Sequence, residues 1–311
     1  VAEPQRIAVV DLGTNSTRLL VADVADGRVE SLERRTEVTR LGDGVDSAGR
    51  LSAEATARVF ETVASFRQAI DAHGAERAVA VATSAVREAK NGDEFLRELA
   101  ERFAIDARTI SGDEEARLSF LGATSARPPG GDPLLMLDIG GGSTEFVLGV
   151  PGAAPTFHVS TRIGSVRQTE RHLPDDPPTE DQLGAVAGEV AAIIEAEVPA
   201  GVRREAATGI AVAGTATSIA AIDQRLDPYD PDQVHGYRLD RYAVEEILSH
   251  LAALTIEERR EVVGLRPARA PTIVAGAIIL REAMRAFDFD WMEMSESDIL
   301  DGAALDAISA Q

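Results

Sequence analysis

The chain of 311 residues contains no cysteine, which excludes disulfides, thiolate metal ligands and cysteine nucleophiles. It has a single lysine, Lys90, so arginine carries nearly all of the positive charge, a compositional bias to which no function attaches. Histidine is sparse: His73, His158, His172, His235 and His250 are scattered without metal-ligand spacing and read as surface or satisfied core residues. No apolar run approaches the roughly 20 residues that span a bilayer. The N-terminus lacks the basic and apolar regions of a signal peptide, so a cytoplasmic location is expected. Basic residues are also outnumbered: the net charge is -21 and the pI near 4.6, which argues against nucleic-acid binding and against an anionic membrane surface. A small anionic substrate stays open, because a local cluster of donors can outweigh the global field.

What is present is ordinary globular material, with 44% apolar and 27% charged residues, which argues against disorder. The length suits two domains, each with its own core. The runs Ile7–Val10 and Leu19–Ala22 read as buried strands, and the more polar 28–41 as a strand nearer an edge. Ser52 caps a helix whose inner face is Val59, Val63, Phe66 and Ile70. A strand at 79–82, a helix at 93–103, a short strand to Ile110 and a helix from Asp113 to about Ala126 follow. Arg127 to Pro133, rich in proline and glycine, reads as a linker. Beyond it come strands at 134–137, 145–150 and 156–161. A helix with a Thr179/Gln182 capping box and a strand at 210–213 follow. The remainder is expected to be mostly helical, with a last strand near Phe289–Met294 and a final helix from Ser297.

Two segments match at identical offsets. Asp11-Leu12-Gly13-Thr14-Asn15-Ser16-Thr17 pairs its Asp, Gly, Ser and Thr with those of Asp138-Ile139-Gly140-Gly141-Gly142-Ser143-Thr144. Each lies between two apolar strands and opens one half of the chain. The repeat predicts two similar domains facing each other across a cleft. In each copy, backbone N–H groups and hydroxyls can converge on an anion, glycine permits close backbone approach, and the preceding Asp can hold a cation or its waters. A plain β-hairpin would explain either copy alone. Two matched copies, one with three successive glycines, point to a pair of phosphate-binding loops. Neither ends in the Gly-Lys-Ser/Thr of a Walker loop, and neither fits the dinucleotide fingerprint. A third segment, Val212-Ala213-Gly214-Thr215-Ala216-Thr217-Ser218, is a strand, a glycine turn and a hydroxyl-rich helix start, which suits either an anion or an ordinary cap.

With these residues in view, the chain resembles the exopolyphosphatase/guanosine pentaphosphate phosphohydrolase family, within the actin–sugar kinase–Hsp70 superfamily. The resemblance covers essentially the whole chain. It includes Ala82–Ala89, Ile110-Ser111-Gly112-Asp113-Glu114-Glu115-Ala116-Arg117, Gly164-Ser165-Val166-Arg167, Gly214–Thr217 and Gly264–Ala270. The final motif departs from the family, with Ser297-Asp298-Ile299-Leu300-Asp301-Gly302 where a basic residue is usual. The C-terminal metal-dependent-phosphohydrolase-like domain of the long members is not in this sequence, so the chain looks like the short, two-domain form, expected to act on short polymers.

The resemblance implies an α/β fold of two ribonuclease-H-like (actin-like ATPase) domains with mixed five-stranded sheets. Residues 1–126 and 134–296 are the expected domains, with the final helix, 297–311, packing back on the first. It implies Glu115 as catalytic base assisted by Glu145. Gly13, Thr14, Asn15, Ser16, Gly140, Gly141, Gly142, Ser143, Thr144, Gly214 and Thr215 would bind phosphate. Asp11 and Asp138 would face Mg²⁺ or Mn²⁺, and Arg18, Arg87 and Arg167 are candidates to neutralise the substrate. Read without the family, the acidic first turn Asp113-Glu114-Glu115 also suits a helix dipole alone, and Arg18 and Arg87 could be salt-bridge partners. The implied activity is release of terminal phosphate from polyphosphate, with guanosine pentaphosphate as the alternative substrate. A kinase of the same superfold fits less well, and a non-catalytic alarmone or polyphosphate sensor gains nothing from the two glutamates. Homodimers are common in the family.

Overall fold

The apolar runs at the start of the chain become the centre of a sheet. In the computed structural model, which describes residues 3–309, β1 (Gln5–Leu12) pairs antiparallel with β2 (Thr17–Ala25), and β2 with β3 (Arg28–Glu37). β4 (Arg77–Ala82) lies parallel to β1, and β5 (Asp106–Thr109) parallel to β4, giving the order β3-β2-β1-β4-β5. The inner strands are apolar on successive residues because both faces are covered. Ala8, Val10, Leu12, Leu19 and Val21 meet Val59, Val63, Phe66 and Ile70 of the helix Ala53–Ala72. Ile7, Val9, Leu20 and Ala22 meet Leu118 of the helix Gly112–Thr124 and Leu300, Ala304 and Leu305 of the C-terminal helix Ile299–Ser309.

Ile299, Leu300 and Leu305 are buried there, each contributing roughly 1.5–3 kcal/mol. The C-terminal helix is thus part of this core and not an appendage. It crosses the helix Gly112–Thr124 at Gly122 and Gly302. A methyl on Gly122 would overlap the Asp298 carbonyl, and one on Gly302 the Leu118 carbonyl. Both glycines are there because two backbones touch.

The chain divides between Pro128 and Pro129, and from Asp298 onward it rejoins the first unit. The second unit repeats the pattern. β6 (Leu134–Ile139) pairs antiparallel with β7 (Thr144–Gly149), and β7 with β8 (Phe157–Thr161). β9 (Thr208–Val212) runs parallel to β6. Outside it lie β10 (Arg238–Asp240) and β11 (Trp291–Met294), in the order β10-β11-β9-β6-β7-β8. From β8 to β11 this is the order of the first sheet, the ribonuclease-H-like arrangement in both units.

The second sheet has six strands, one more than expected, and the extra one falls in a stretch read as helical. Three residues are too few to display a period of two, and β10 owes its existence to its neighbour. Arg238 pairs with Glu293 and Asp240 with Trp291, and the Arg238 guanidinium lies 4.2 Å from the centre of the Trp291 ring. One face of the sheet is covered by the helices Glu180–Glu197, Ala213–Asp223, Arg241–Ala253 and Ile273–Ala286, through Val190, Ile219, Leu248 and Ile278 among others. The final helix begins at Ile299, where Asp298 Oδ1 accepts the Leu300 N–H at 3.0 Å. No helix among the described residues is long and apolar enough to cross a membrane.

Candidate active site

In each unit the polar residues of interest gather at the carboxyl ends of the parallel strands, where open α/β sheets bind ligands. In the first unit the β1–β2 turn is closed by Gly13 N–H donating to the Ser16 carbonyl at 3.0 Å; in the second, Gly140 N–H donates to the Ser143 carbonyl at 3.0 Å. The two matched segments are therefore the same hairpin twice. A methyl on Gly13 would stand 2.9 Å from Ser16 O, and one on Gly140 3.1 Å from Ser143 O, which is why both begin with glycine.

Each hairpin is buttressed through its carbonyls. Thr14 O accepts from Gly42 N at 2.8 Å and Asn15 O from Arg40 N at 2.9 Å. In the second loop, Gly140 O accepts from Ser165 N at 2.9 Å, and Gly141 O from Val166 N at 2.9 Å and Arg167 N at 3.1 Å. Arg167 Nε reaches Gly142 O at 2.9 Å, and Thr144 Oγ1 donates to Ile163 O at 2.5 Å. Arg167 and Thr144 are buried and stiffen this loop. A methyl on Gly164 would overlap the backbone of Gly141 and Gly142, so the start of the helix Ser165–His172 is pressed directly on the triple glycine. Among the described residues, no acceptor meets the N–H groups of Gly141, Gly142 and Ser143, or those of Thr14 and Asn15. Such rows of unmatched amides suit phosphate oxygens.

The strand register adds the charges. Asp11 stands opposite Arg18 across β1–β2, and Asp138 opposite Glu145 across β6–β7. The same place in the repeat thus holds a cation in one copy and an anion in the other. Arg18 Nε and Nη2 both reach Asp11 Oδ2 at 2.8 Å, while Oδ1 is buried without a hydrogen-bond partner. Burial pushes the Asp11 carboxyl up, against the pull of Arg18 and with a further push from Asp298. Glu145 is buried and accepts from Ser160 Oγ at 2.7 Å.

Glu115 lies in the first turn of the helix Gly112–Thr124, which Ser111 caps by accepting the Glu114 N–H at 3.1 Å. It is 7% exposed, unlike its neighbours Asp113 and Glu114. Arg87 fixes it: Nη1 donates to Glu115 Oε2 at 3.0 Å and to the Ile110 carbonyl at 2.9 Å. Arg87 lies in the last turn of the short helix Ser84–Glu88 that follows β4, and Thr83 N–H donates to Leu12 O at 3.3 Å beside the first loop.

In the second unit, Ala213 turns the chain from β9 into its helix with a left-handed φ of 65°, a conformation costing about 1–2 kcal/mol for a residue with a side chain. Gly214 comes next, and a methyl on it would occupy the position of the Arg269 guanidinium. Thr215 is buried against Gly276.

Arg34 and Ser160 carry no local sequence signal, and Asp298 and Arg269 lie in motifs whose sequence does not mark them as individual site residues. Asp298 Oδ2 accepts from Arg18 Nη1, and Arg34 bridges Asp298 at 3.6 Å and Asp301 at 2.7 Å. The departure of the final motif from its usual basic residue was the available signal. No group of three or more His, Cys, Asp or Glu side chains among the described residues forms a ready metal cage. In the first unit, the buried, partnerless Oδ1 of Asp11 suits a hard cation that takes one carboxylate oxygen and leaves the rest of its shell to substrate and water.

The chain is similar to known proteins along almost its whole length. The family model described as Ppx/GppA phosphatase family matches residues 20–309. Exopolyphosphatase 2 of Mycobacterium tuberculosis is 37% identical over 313 aligned positions, covering 96% of this chain and 98% of that protein. The crystal structure of the Aquifex aeolicus Ppx/GppA family member superposes with a TM-score of 0.82 at 28% identity, covering 99% of this chain and 98% of the other. An exopolyphosphatase from Cytophaga hutchinsonii gives a TM-score of 0.88 at 27% identity, covering 97% and 98%. With a family model spanning most of its length and a relative above 30% identity along almost all of it, the chain belongs to the Ppx/GppA phosphatase family.

Proposed function

We propose that the protein is an exopolyphosphatase that hydrolyses the terminal phosphoanhydride of inorganic polyphosphate, short chains in particular. The observation that carries this reading is Glu115. A carboxylate 7% exposed, set by an arginine at 3.0 Å at the loop end of the sheet, is costly for a protein that merely binds a polyanion. It is useful to one that must take a proton from water.

Phosphoryl transfer depends mainly on positioning and neutralisation of charge. The unmatched amides of the two hairpins, with the hydroxyls of Thr14, Ser16 and Ser143, would donate to phosphate oxygens. Asp11 and Asp138 would hold Mg²⁺ or Mn²⁺, and the ion when bound supplies charge neutralisation to the phosphates. Glu115 accepts the proton of a water whose oxygen attacks the terminal phosphorus in line. The bond from that phosphorus to its bridging oxygen breaks, and the shortened chain leaves with the electron pair. Glu145, with Ser160 donating to it, would assist Glu115 as an alternative acceptor for that same proton.

The names of the mycobacterial and Cytophaga relatives support polyphosphate as substrate. Initial rates on polyphosphates of graded length and on guanosine pentaphosphate, with Mg²⁺ or Mn²⁺, test the reading. Faster release from polyphosphate supports it, and a preference for guanosine pentaphosphate overturns it.

A further inference from the structure

Asp11, Arg18 and Arg34 share one face of the first sheet. Asp11 is directly across from Arg18, and Arg34 on β3 is its diagonal neighbour, since Arg18 pairs with Thr36 and Leu20 with Arg34. Asp298 reaches this face from the segment leading into the C-terminal helix. It is 3% exposed, and both of its oxygens are engaged: Oδ2 by Arg18 Nη1, Oδ1 by the Leu300 N–H at 3.0 Å and by Arg34 at 3.6 Å. Burial favours the neutral acid, but Arg18 and Arg34 prevail and hold the carboxyl below its ordinary range.

The pairing of Arg18 with Asp11 is unusual in one respect. Nε and Nη2 form the edge of a guanidinium that ordinarily grips both oxygens of a carboxylate in two parallel bonds. Here both nitrogens go to Oδ2, at 2.8 Å each, and Oδ1 is left buried and unpaired. The opposite side of the same guanidinium is tied to Asp298.

We propose that Asp298 is a positioning residue of the active site: it holds Arg18 from the far side, so the guanidinium cannot close over both oxygens of Asp11. Asp11 Oδ1 is thereby kept available to a divalent cation. The inference rests on the functional reading above, in which Asp11 faces the metal. It gives the acidic final motif a task, because a C-terminal residue sets how a carboxylate near the N-terminus is presented. Without the Asp298 charge, the Nη1 side of Arg18 loses the carboxylate that holds it, and the Nε/Nη2 edge is freed to turn onto both oxygens of Asp11.

The test is Asp298→Asn, which keeps the Oδ1 acceptor for Leu300 and removes the charge. Mn²⁺ binding to substrate-free protein is followed by the electron paramagnetic resonance of unbound Mn²⁺, with Asp11→Asn as baseline and phosphate release and thermal unfolding measured alongside. The expected result is a folded variant whose Mn²⁺ affinity falls about 10–100-fold, the range for lost ligand-orienting partners. The KM for polyphosphate at saturating Mn²⁺ should stay within about threefold, since uniform substrate binding is untouched. Adding Arg18→Met should then recover most of the affinity, which a merely structural loss would not. Unchanged affinity in a folded Asp298→Asn protein, or no recovery in the double variant, overturns the inference. Should the single variant not fold, the charge-balanced Arg34→Met/Asp298→Asn protein is measured instead, and wild-type affinity there is equally fatal. Wild-type protein that releases no phosphate sinks the functional reading itself. Wild-type release and binding with no effect of the variants sinks this inference alone.

Discussion

Arg87 Nη1 sits 3.0 Å from Glu115 Oε2 and 2.9 Å from the Ile110 carbonyl, so one nitrogen joins the acidic helix to the end of the strand before it. Arg87→Met removes a cation that orients the buried carboxylate. The expected loss in kcat/KM is about 10–100-fold, or roughly 1.4–2.8 kcal/mol of transition-state stabilisation. Arg87→Lys should recover part of it, because a point charge replaces the planar donor without its geometry. Steady-state phosphate release from all three proteins checks this.

Asp11 places function and stability in opposition. Burial, and secondarily Asp298, raise its carboxyl above the ordinary value in spite of Arg18. An acid with a raised folded-state pKa is least costly when protonated, so wild-type stability from this group is greatest at low pH and falls as pH rises through the folded value. Asp11→Asn removes the ionisation. In metal-free buffer it should therefore melt higher than wild type at neutral pH, and the gap should close as pH falls toward and below about 3.9. Phosphate release should be lost. Paired melting curves across pH decide it; an equal or lower melting temperature for the variant at neutral pH contradicts it.

Gly164→Ala would push a methyl into the backbone of Gly141 and Gly142. That backbone is also held by Val166, Arg167 and the Arg167 side chain, so it cannot yield without deforming the loop. The expected cost is about 1–3 kcal/mol of stability together with a large rise in KM for polyphosphate. A variant with wild-type KM would show that the triple-glycine loop does not bind substrate.

Gly302→Ala tests the seam between the C-terminal helix and the helix carrying Glu115. The new methyl would meet the Leu118 carbonyl, and relief requires the helices to separate. Destabilisation of about 2–4 kcal/mol is expected, with kcat falling more than KM rises, because Glu115 moves while the loops stay. Denaturant unfolding and kinetics on the same preparation separate the two effects.

The parts of the molecule that can be read from its sequence are those written locally. Ile7–Val10 and Leu19–Ala22 announce a buried hairpin because each residue has an apolar face to cover, and the turn between them is marked by glycine and hydroxyls in both copies. The acidic turn at Glu115 is visible too, yet what separates it from Asp113 and Glu114 is burial against Arg87, a relationship across 28 positions. Asp298 is more remote still, 280 positions from the arginine it holds. Its role depends on which strand face the C-terminal helix covers, and that follows from the pairing of whole elements. β10 was missed for the same reason, since its strand character comes from Trp291 and not from its own three residues.

The most direct test of the hydrolytic reading is phosphate release from polyphosphate by wild-type protein and by Glu115→Gln, with polyphosphate binding measured on both. A general base contributes about 10²–10⁴-fold. The account requires a loss of that order in the glutamine variant, with binding held near the wild-type level because the loops are intact. Equal turnover in the two proteins, or binding without turnover in the wild type, would contradict it.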